Sequence, residues 1–217
     1  AQDYDDIRMP VNALRAKYTW HSVTFEAICN PVADFFILPT DRRNPWALTL
    51  PSAPLPYTID LESGKPEKRL RNMEYGGRIT TNLSGIDFSL SALRTWNKTP
   101  ALSLAVSNDG KSLLAKGEYR RMTMLGADCS LPVGQFVLRS EAACYFDEAQ
   151  SRGVGKDVVC RNTYNILAGV DWYPGNDWNF SAQYCHKYTA GNLDGLSVYR
   201  NAGLATARIS KELLRNM

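Results

Sequence analysis

The chain has 217 residues, 44% of them hydrophobic, and its 25 basic and 22 acidic side chains give a net charge of +3. This length suits one all-β domain, and so mild a charge with no basic run argues against a nucleic-acid partner. No window approaches the roughly 18 uncharged apolar residues of a membrane helix, but strands can also cross a membrane, with their apolar face hidden in alternation.

The first regular pattern begins after an acidic N-terminal stretch, residues 1–10, which suits a loop. From residue 11 to residue 29 apolar and polar side chains alternate on both sides of a short turn at residues 21–22. Tyr18 therefore faces one side and Lys17 the other, because successive side chains of a strand point to opposite faces. The pattern predicts a β-hairpin.

The alternation stops between residues 31 and 73, where seven prolines exclude central strands and long helices. Phe35, Phe36, Ile37, Leu38 and Trp46 make this segment too apolar for a flexible linker. We expect it to fold inward and narrow a pore; the alternative is that the apolar run only lengthens the preceding strand. The charged residues that would line this constriction and favour anions are Asp41, Arg42 and Arg43.

Seven further strands are predicted after residue 73. Residues 74–83 and 86–96 form a hairpin, residues 97–116 an irregular connection, and residues 117–131 the next strand. The clearest hairpin lies at residues 167–188, where two alternating runs flank the turn cluster Pro-Gly-Asn-Asp at 174–177. A ninth strand is predicted to begin near Leu204.

The connections alternate strictly between short and long, so all short turns lie at one rim and all long loops at the other. An antiparallel up-and-down transmembrane β-barrel has this asymmetry, with short periplasmic turns and long extracellular loops. The first strand would then start outside, whereas complete barrels begin and end in the periplasm with an even strand number. We therefore expect residues 1–217 to be a single β-barrel domain, incomplete at both ends, from a barrel of about 16 strands.

Five segments carry a resemblance to a known family: residues 6–15 (DIRMPVNALR), 23–27 (VTFEA), 74–78 (EYGGR), 124–128 (MLGAD) and 138–143 (LRSEAA). Together they resemble a family of Gram-negative outer-membrane porin-like barrels, known mainly as a domain of unknown function and similar in style to alginate-export barrels. The resemblance spans most of residues 6–188 and implies the fold and the outer-membrane location more than a substrate. The sequence departs from the pattern at Cys129 and Cys144, where aromatic residues are expected.

The two faces of the predicted strands differ in chemistry. The charged residues predicted to line a pore are Arg15, Lys17, Glu26, Glu74, Arg78, Asp87, Asp128, Arg139, Glu141 and Asp171. The aromatic residues predicted to face lipid are Tyr18, Trp20, Phe25, Phe88, Trp96, Trp172, Trp178, Phe180 and Tyr184. In a wide wet barrel the charges are hydrated or paired across strands, so each of them either braces the wall or recognises solute.

No catalytic pattern stands out. Residues 153–156 (GVGK) hint at a phosphate loop but lack its first glycine and its Ser or Thr, so they predict a flexible loop. His21 and His186 have no metal spacing, and the five scattered cysteines are typical of small apolar fillers rather than disulfide or metal partners. No paired carboxylates or nucleophile elbow indicate an enzyme, and no cofactor is expected.

The sequence thus predicts a porin-like channel of the Gram-negative outer membrane that passes or exports a small polar solute by diffusion. Its expected partners are outer-membrane lipid, the solute, and a possible partner protein in or below the lumen. Two alternatives remain open. One is a soluble ligand-binding barrel, which would bury the aromatic residues, and the other is a barrel that serves as a structural sleeve for a partner protein.

Overall fold

Strands make up nearly all regular structure in the residues described by this computed structural model, which are 11–41, 43–47 and 55–211. One short 3-10 helix lies at Leu70–Asn72. The strands are β1 (Leu14–Trp20), β2 (Val23–Asn30), β3 (Tyr57–Asp60), β4 (Glu74–Leu83), β5 (Ile86–Trp96), β6 (Ala101–Val106), β7 (Leu113–Glu118), β8 (Arg121–Val133), β9 (Phe136–Gln150), β10 (Val159–Gly175), β11 (Trp178–Thr189) and β12 (Asn201–Lys211).

Nine of these strands form one antiparallel up-and-down sheet in the order β1-β2-β4-β5-β8-β9-β10-β11-β12. The predicted nine antiparallel strands and the alternation of short and long connections are confirmed. We call the rim with the two-residue connections the turn end and the opposite rim the loop end. Ser84 and Gly85, and likewise Asn176 and Asp177, have positive φ angles, as tight hairpin turns that match the twist of their strands require.

The turn ends of successive hairpins are staggered in one direction. Val23 at the start of β2 pairs with Thr81, two residues short of the end of β4 at Leu83. Phe136 at the start of β9 pairs with Trp172, and β10 continues to Gly175. Each hairpin therefore extends two to three residues beyond the previous one, which inclines the strands relative to the rim of the sheet.

The sheet is open in the described part of the chain. β1 and β12 are its two edges, and no closed barrel is formed between them. No helix among the described residues is long and apolar enough to cross a membrane.

A second, three-stranded sheet with the order β3-β7-β6 lies in the long connections at the loop end. The prediction that residues 97–116 are irregular was wrong, because they contain β6 and most of β7. The strand predicted at residues 117–131 is also corrected, since its first two residues belong to β7 and β8 begins at Arg121. β3 was missed, because its register comes from parallel pairing of Tyr57 with Leu113, far away in the chain.

We call the described residues 31–41, 55–73 and 97–120 the loop layer. Its strands and connections hold all the buried apolar side chains of the described residues, which are Leu61, Pro100, Ala101, Leu113, Ala115 and Tyr119. The chain segments approach closely at Gly64, where a Cβ would lie 1.8 Å from the backbone oxygen of Gly117, so only glycine fits there. The nine-stranded sheet contributes no apolar residue to a core of this kind.

Tyr119 gives a testable consequence of this small core. Its ring packs edge-on against Phe35 with centroids 4.5 Å apart, but its buried hydroxyl has no hydrogen-bond partner among the described residues. Burial and the nearby Glu62 carboxylate raise the pKa of the phenol, so the group is neutral at pH 7. Because an unsatisfied buried hydroxyl is destabilising, Tyr119→Phe is expected to raise the free energy of unfolding by about 1 kcal/mol.

Denaturant unfolding measures this change, with Tyr199→Phe as the control. Tyr199 is 81% exposed, so its variant is expected to change the stability by less than about 0.5 kcal/mol. A clear loss of stability in Tyr119→Phe would mean that the hydroxyl has a partner after all.

Candidate functional site

The strand register separates the predicted residues into two groups on opposite faces of the nine-stranded sheet. Lys17 pairs with Glu26 and Glu26 with Arg78, while Tyr18 pairs with Phe25 one position further along. Extended across the sheet, this alternation places all ten charged residues on one face, the polar face. All nine aromatic residues share the opposite, apolar face.

The polar face carries ion pairs that run across the strands. Arg15 on β1 binds Glu26 on β2. Arg78 on β4 reaches over β5 to Asp128 on β8, with Nη2 3.1 Å from both carboxylate oxygens. Its Nε donates to the hydroxyl of Ser89 on the intervening strand at 3.0 Å, and that hydroxyl donates to Asp128. These contacts join three neighbouring strands through side chains.

Closer to the turn end, Arg139 on β9 binds Asp171 on β10, with Nη2 2.9 Å from Oδ1. The Asp171 side chain is only 8% exposed, so its charge depends on this partner. Asn82 donates to Asp87 at 2.7 Å. The structure thus connects six of the ten predicted charged residues in three ion pairs, which fits the bracing role for those six.

Glu74 lies apart from the others, at the loop end of the polar face, where it is 5% exposed. Lys98 from the loop layer donates to both of its carboxylate oxygens, at 2.7 and 2.6 Å, and also to the backbone oxygen of Asp34 at 2.9 Å. Asn30 and the hydroxyl of Thr95 are further donors to the same carboxylate. This cluster, which we call the Glu74 clasp, binds the loop layer to the strands.

A recess of about 590 Å³ lies on the polar face and spans β5 and β8 to β12. Its floor is made of small residues, since Ser91 pairs with Gly126 and Gly126 with Ala143. Glu141 lines the recess, is exposed, and directly opposes Asp128 across the strands. Asp128 is neutralised by Arg78, whereas no described residue forms an ion pair or hydrogen bond with Glu141. Glu141 is therefore a carboxylate on this face whose charge is not neutralised by any described residue.

Sequence reasoning missed an ion pair at the rim of this recess, between Lys187 Nζ and Glu148 Oε2 at 3.5 Å. Glu148 reaches the polar face because β9 contains a bulge. Thr163 pairs with Tyr145 but Arg161 with Glu148, so β9 has one extra residue, and Asp147 has a φ of 63°. A bulge of this kind reverses the alternation beyond it, and only the positive charge of Lys187 in a predicted strand could have pointed to the pair.

The apolar face is uncovered by any other described part of the chain. Near the turn end its aromatic rings pack together, with centroid distances of 6.0 Å for Phe136 and Trp172, 5.1 Å for Trp172 and Phe180, and 5.7 Å for Trp178 and Phe180. Nearer the loop end Tyr164 and Tyr188 lie 6.2 Å apart. The side chains between these two groups are mainly aliphatic, among them Ile79, Leu90, Ala127, Ala142 and Val170.

Trp96 differs from the other predicted aromatic residues. It lies at the loop end, donates from Nε1 to the backbone oxygen of Asn72 at 3.0 Å, and has the Arg121 guanidinium 5.2 Å from its ring. Arg94 and Thr123 on the same face are hydrogen-bonded at 2.7 Å. At the loop end of this face polar groups therefore replace the apolar surface.

The described part of the predicted constriction is an exposed ion pair. Arg43 donates to Asp41, which lowers the pKa of that carboxyl, and the Arg43 side chain is 90% exposed. Arg42 lies outside the described residues. Residues 31–41 pack against the second long loop, where Phe36 N donates to Lys98 O at 3.3 Å. The inward fold of this segment into a pore stays a prediction.

The remaining chemical motifs do not assemble into a catalytic centre among the described residues. All five cysteines there are free, and no group of His, Cys, Asp or Glu side chains is placed to hold a metal ion. In the GVGK segment, Gly153, Gly155 and Lys156 donate their backbone N–H groups to Gly195, Leu104 and Gly153. These amides cannot cradle a phosphate as a phosphate loop does.

Comparison with known proteins leaves the chain without a family: no family model matches it, and neither the curated proteins nor the solved structures gave a match. The two faces of the sheet are therefore the features of the described chain that bear on its function. One face is charged, braced and recessed, and the other is apolar and uncovered.

Proposed function

We propose that the chain forms part of the wall of an outer-membrane β-barrel channel that passes or exports a small polar solute. The observation that carries the proposal is the uncovered apolar face opposite a face of ion pairs. Soluble sheets bury an apolar face of this extent against another layer, and the described chain offers none. In a transmembrane barrel such a face contacts the hydrocarbon chains of the lipid.

The height of the apolar surface supports the same assignment. On β10 it extends from Trp172 to Tyr164, and on β8 from Val133 to Leu125, nine residues and therefore eight residue steps in each case. At about 3.3 Å per residue this is about 26 Å along the strand. Strands tilted by about 35° reduce this to a vertical height of about 21 Å, near the apolar band of roughly 25 Å that barrels present to lipid.

The hairpin stagger supports the tilt itself. The turn end shifts by about two residues from one hairpin to the next, and each hairpin has two strands. The shift is therefore one residue, about 3.3 Å, for each strand spacing of about 4.8 Å. That ratio corresponds to an inclination of about 35°, at the lower end of the range in which sheets close into barrels. Curling the sheet around its polar face would enclose the recess and the ion pairs in a water-filled lumen.

The loop layer supports a narrowed channel. It binds through the Glu74 clasp to the end of the polar face, where Asn30, Glu74 and Thr95 are buried. Within the loop layer, Phe35 packs against Tyr119 and stabilises the layer. The layer would therefore partly cover the mouth of the channel at the loop end. In this proposal the loop end is extracellular and the turn end periplasmic.

Membrane fractionation of cells that express the full-length protein tests the proposal. The protein is expected in the outer-membrane fraction, resistant to extraction with high salt or carbonate and released only by detergent. Recovery of folded protein without detergent would overturn the proposal and favour the soluble ligand-binding barrel.

Glu141 provides a prediction specific to a channel. Replacing it by lysine changes the charge at the recess by two units without removing any of the paired side chains. At a separation of about 8 Å in water this raises the energy of a passing cation and lowers that of an anion by about 1 kcal/mol each, so the cation-to-anion permeability ratio is expected to fall about 20-fold to 30-fold in low salt.

Reversal potentials of the complete protein in planar bilayers measure this ratio. Glu141→Gln should give an intermediate value, and Lys111→Gln, at the exposed tip of the β6–β7 hairpin, should leave the ratio unchanged. An unchanged ratio in both Glu141 variants would mean that the recess does not face the ion path.

A further inference from the structure

Two loops at the loop end, residues 151–158 and 190–200, and the adjoining start of β10 bring four cationic side chains together. The loops are joined by a bridge between Arg152 and Leu196 and by Gly153 N donating to Gly195 O at 3.3 Å. The cations are Arg152, Lys156, Arg161 and Arg200. None of them forms an ion pair with a carboxylate in the described part of the chain.

Arg152 and Lys156 converge on Gly195. The position that a Cβ would occupy at residue 195 is 3.2 Å from Lys156 Nζ and 3.9 Å from Arg152 Nε. Arg152 Nε is buried and donates to no group among the described residues. Two neighbouring positive charges, one with an unsatisfied buried donor, raise the free energy of the folded chain unless an anion binds between them.

The other two cations surround the same loop a few residues away. Arg161 Nε donates to Asn192 O at 2.8 Å, and Arg200 Nη2 to Gly191 O at 3.0 Å. These carbonyls satisfy the donors but leave the positive charges uncompensated. The carboxylates nearest in the chain, Asp157 and Asp194, form no ion pair with the cluster among the described residues.

We propose that a phosphate group binds between Arg152 and Lys156 against the backbone of Gly195. A dianion with several acceptor oxygens matches one guanidinium and one ammonium group. The side chains hold it rather than the GVGK backbone, because those N–H groups are already bonded. This site does not depend on whether the sheet forms a channel.

Equilibrium dialysis of the full-length protein in detergent against radiolabelled inorganic phosphate tests the site. We expect one phosphate per chain, with the affinity reduced about tenfold in Lys156→Gln, whose exposed ammonium has no structural bond. Arg152→Gln/Lys156→Gln should abolish the binding, and Lys111→Gln should bind as the unaltered chain does. Circular dichroism verifies the fold of each variant. If the double variant does not fold, the phosphate affinity of the single Lys156→Gln variant tests the site.

A second arm replaces inorganic phosphate by a short-chain phosphatidic acid in the same micelles. Competition by the lipid at lower concentration than free phosphate would assign a lipid headgroup as the source of the group, and the reverse order would assign a free solute. Equal binding by the unaltered chain and Lys156→Gln, or no binding of either probe, would overturn the proposal.

Discussion

Replacing Glu74 by glutamine is expected to lower the free energy of unfolding by about 3 kcal/mol, the low end of the cost of removing one partner of a buried ion pair. The low end applies because the Lys98 side chain is 29% exposed, whereas the Glu74 side chain is 7% exposed. Glutamine keeps the shape and one acceptor but leaves the Lys98 ammonium without its counter-charge. Guanidinium unfolding of protein refolded in detergent measures the loss.

The Glu74 clasp also predicts where the change is felt. Hydrogen exchange at residues 31–41 should accelerate, because Phe36 N is bonded to the backbone of Lys98. The β10–β11 hairpin, whose strands pair only with each other and with β9 and β12, should keep its protection. Local opening of this kind would separate the loop layer from the sheet without unfolding the sheet.

Glu67→Gln is the matched control, because it removes a carboxylate that pairs with Arg69 and Arg71 on the surface of the same layer. Its side chain is 57% exposed, so the variant is expected to change stability by less than about 0.5 kcal/mol. Equal losses in Glu74→Gln and Glu67→Gln would show that burial of Glu74 contributes nothing.

The second large effect is expected at Ala142, in the middle of the apolar face. Ala142→Arg should lower the stability of the membrane-inserted protein by about 2–4 kcal/mol, because a charge there would face hydrocarbon. Its neighbours across the strands are Ala127 and Ile166, which offer no carboxylate. Folding into vesicles of defined lipid, followed by urea unfolding, measures the difference.

Ala143→Arg provides a control with the same substitution one position along the same strand. Ala143 lies on the polar face between Gly126 and Asn165 and lines the recess, so an arginine there has water and carboxylates within reach. Its expected loss is below about 1 kcal/mol. A larger loss for Ala143→Arg than for Ala142→Arg would contradict the assignment of lipid to the apolar face.

Local sequence was sufficient for the two faces and for the hairpins. A period of two is a property of neighbouring residues, so Lys17 and Tyr18 are assigned to opposite faces without knowledge of any partner strand. Turn residues such as Ser84 and Gly85 then set the register within each hairpin. For this reason all nine strands of the main sheet and the faces of all the predicted charged and aromatic residues could be read from the chain.

Contacts across long connections could not be predicted in this way. The pairing of β3 with β7 joins segments more than fifty residues apart, and neither strand alternates clearly enough to reveal a face. The Glu74 clasp needs Lys98 from a loop, and the Glu148–Lys187 pair needs a bulge at Asp147. Such contacts depend on where the loop layer settles against the strands, which no local pattern encodes.

The sequence by itself determined a nine-stranded antiparallel sheet with one charged and one apolar face. The tertiary structure decided which charges are neutralised, because Arg78 finds Asp128 only when β4, β5 and β8 lie side by side. Among the described residues it left Glu141 without a partner beside that pair and brought Arg152 and Lys156 together at Gly195. Periodicity assigns a side chain to a face, but the packing of distant segments selects its partner.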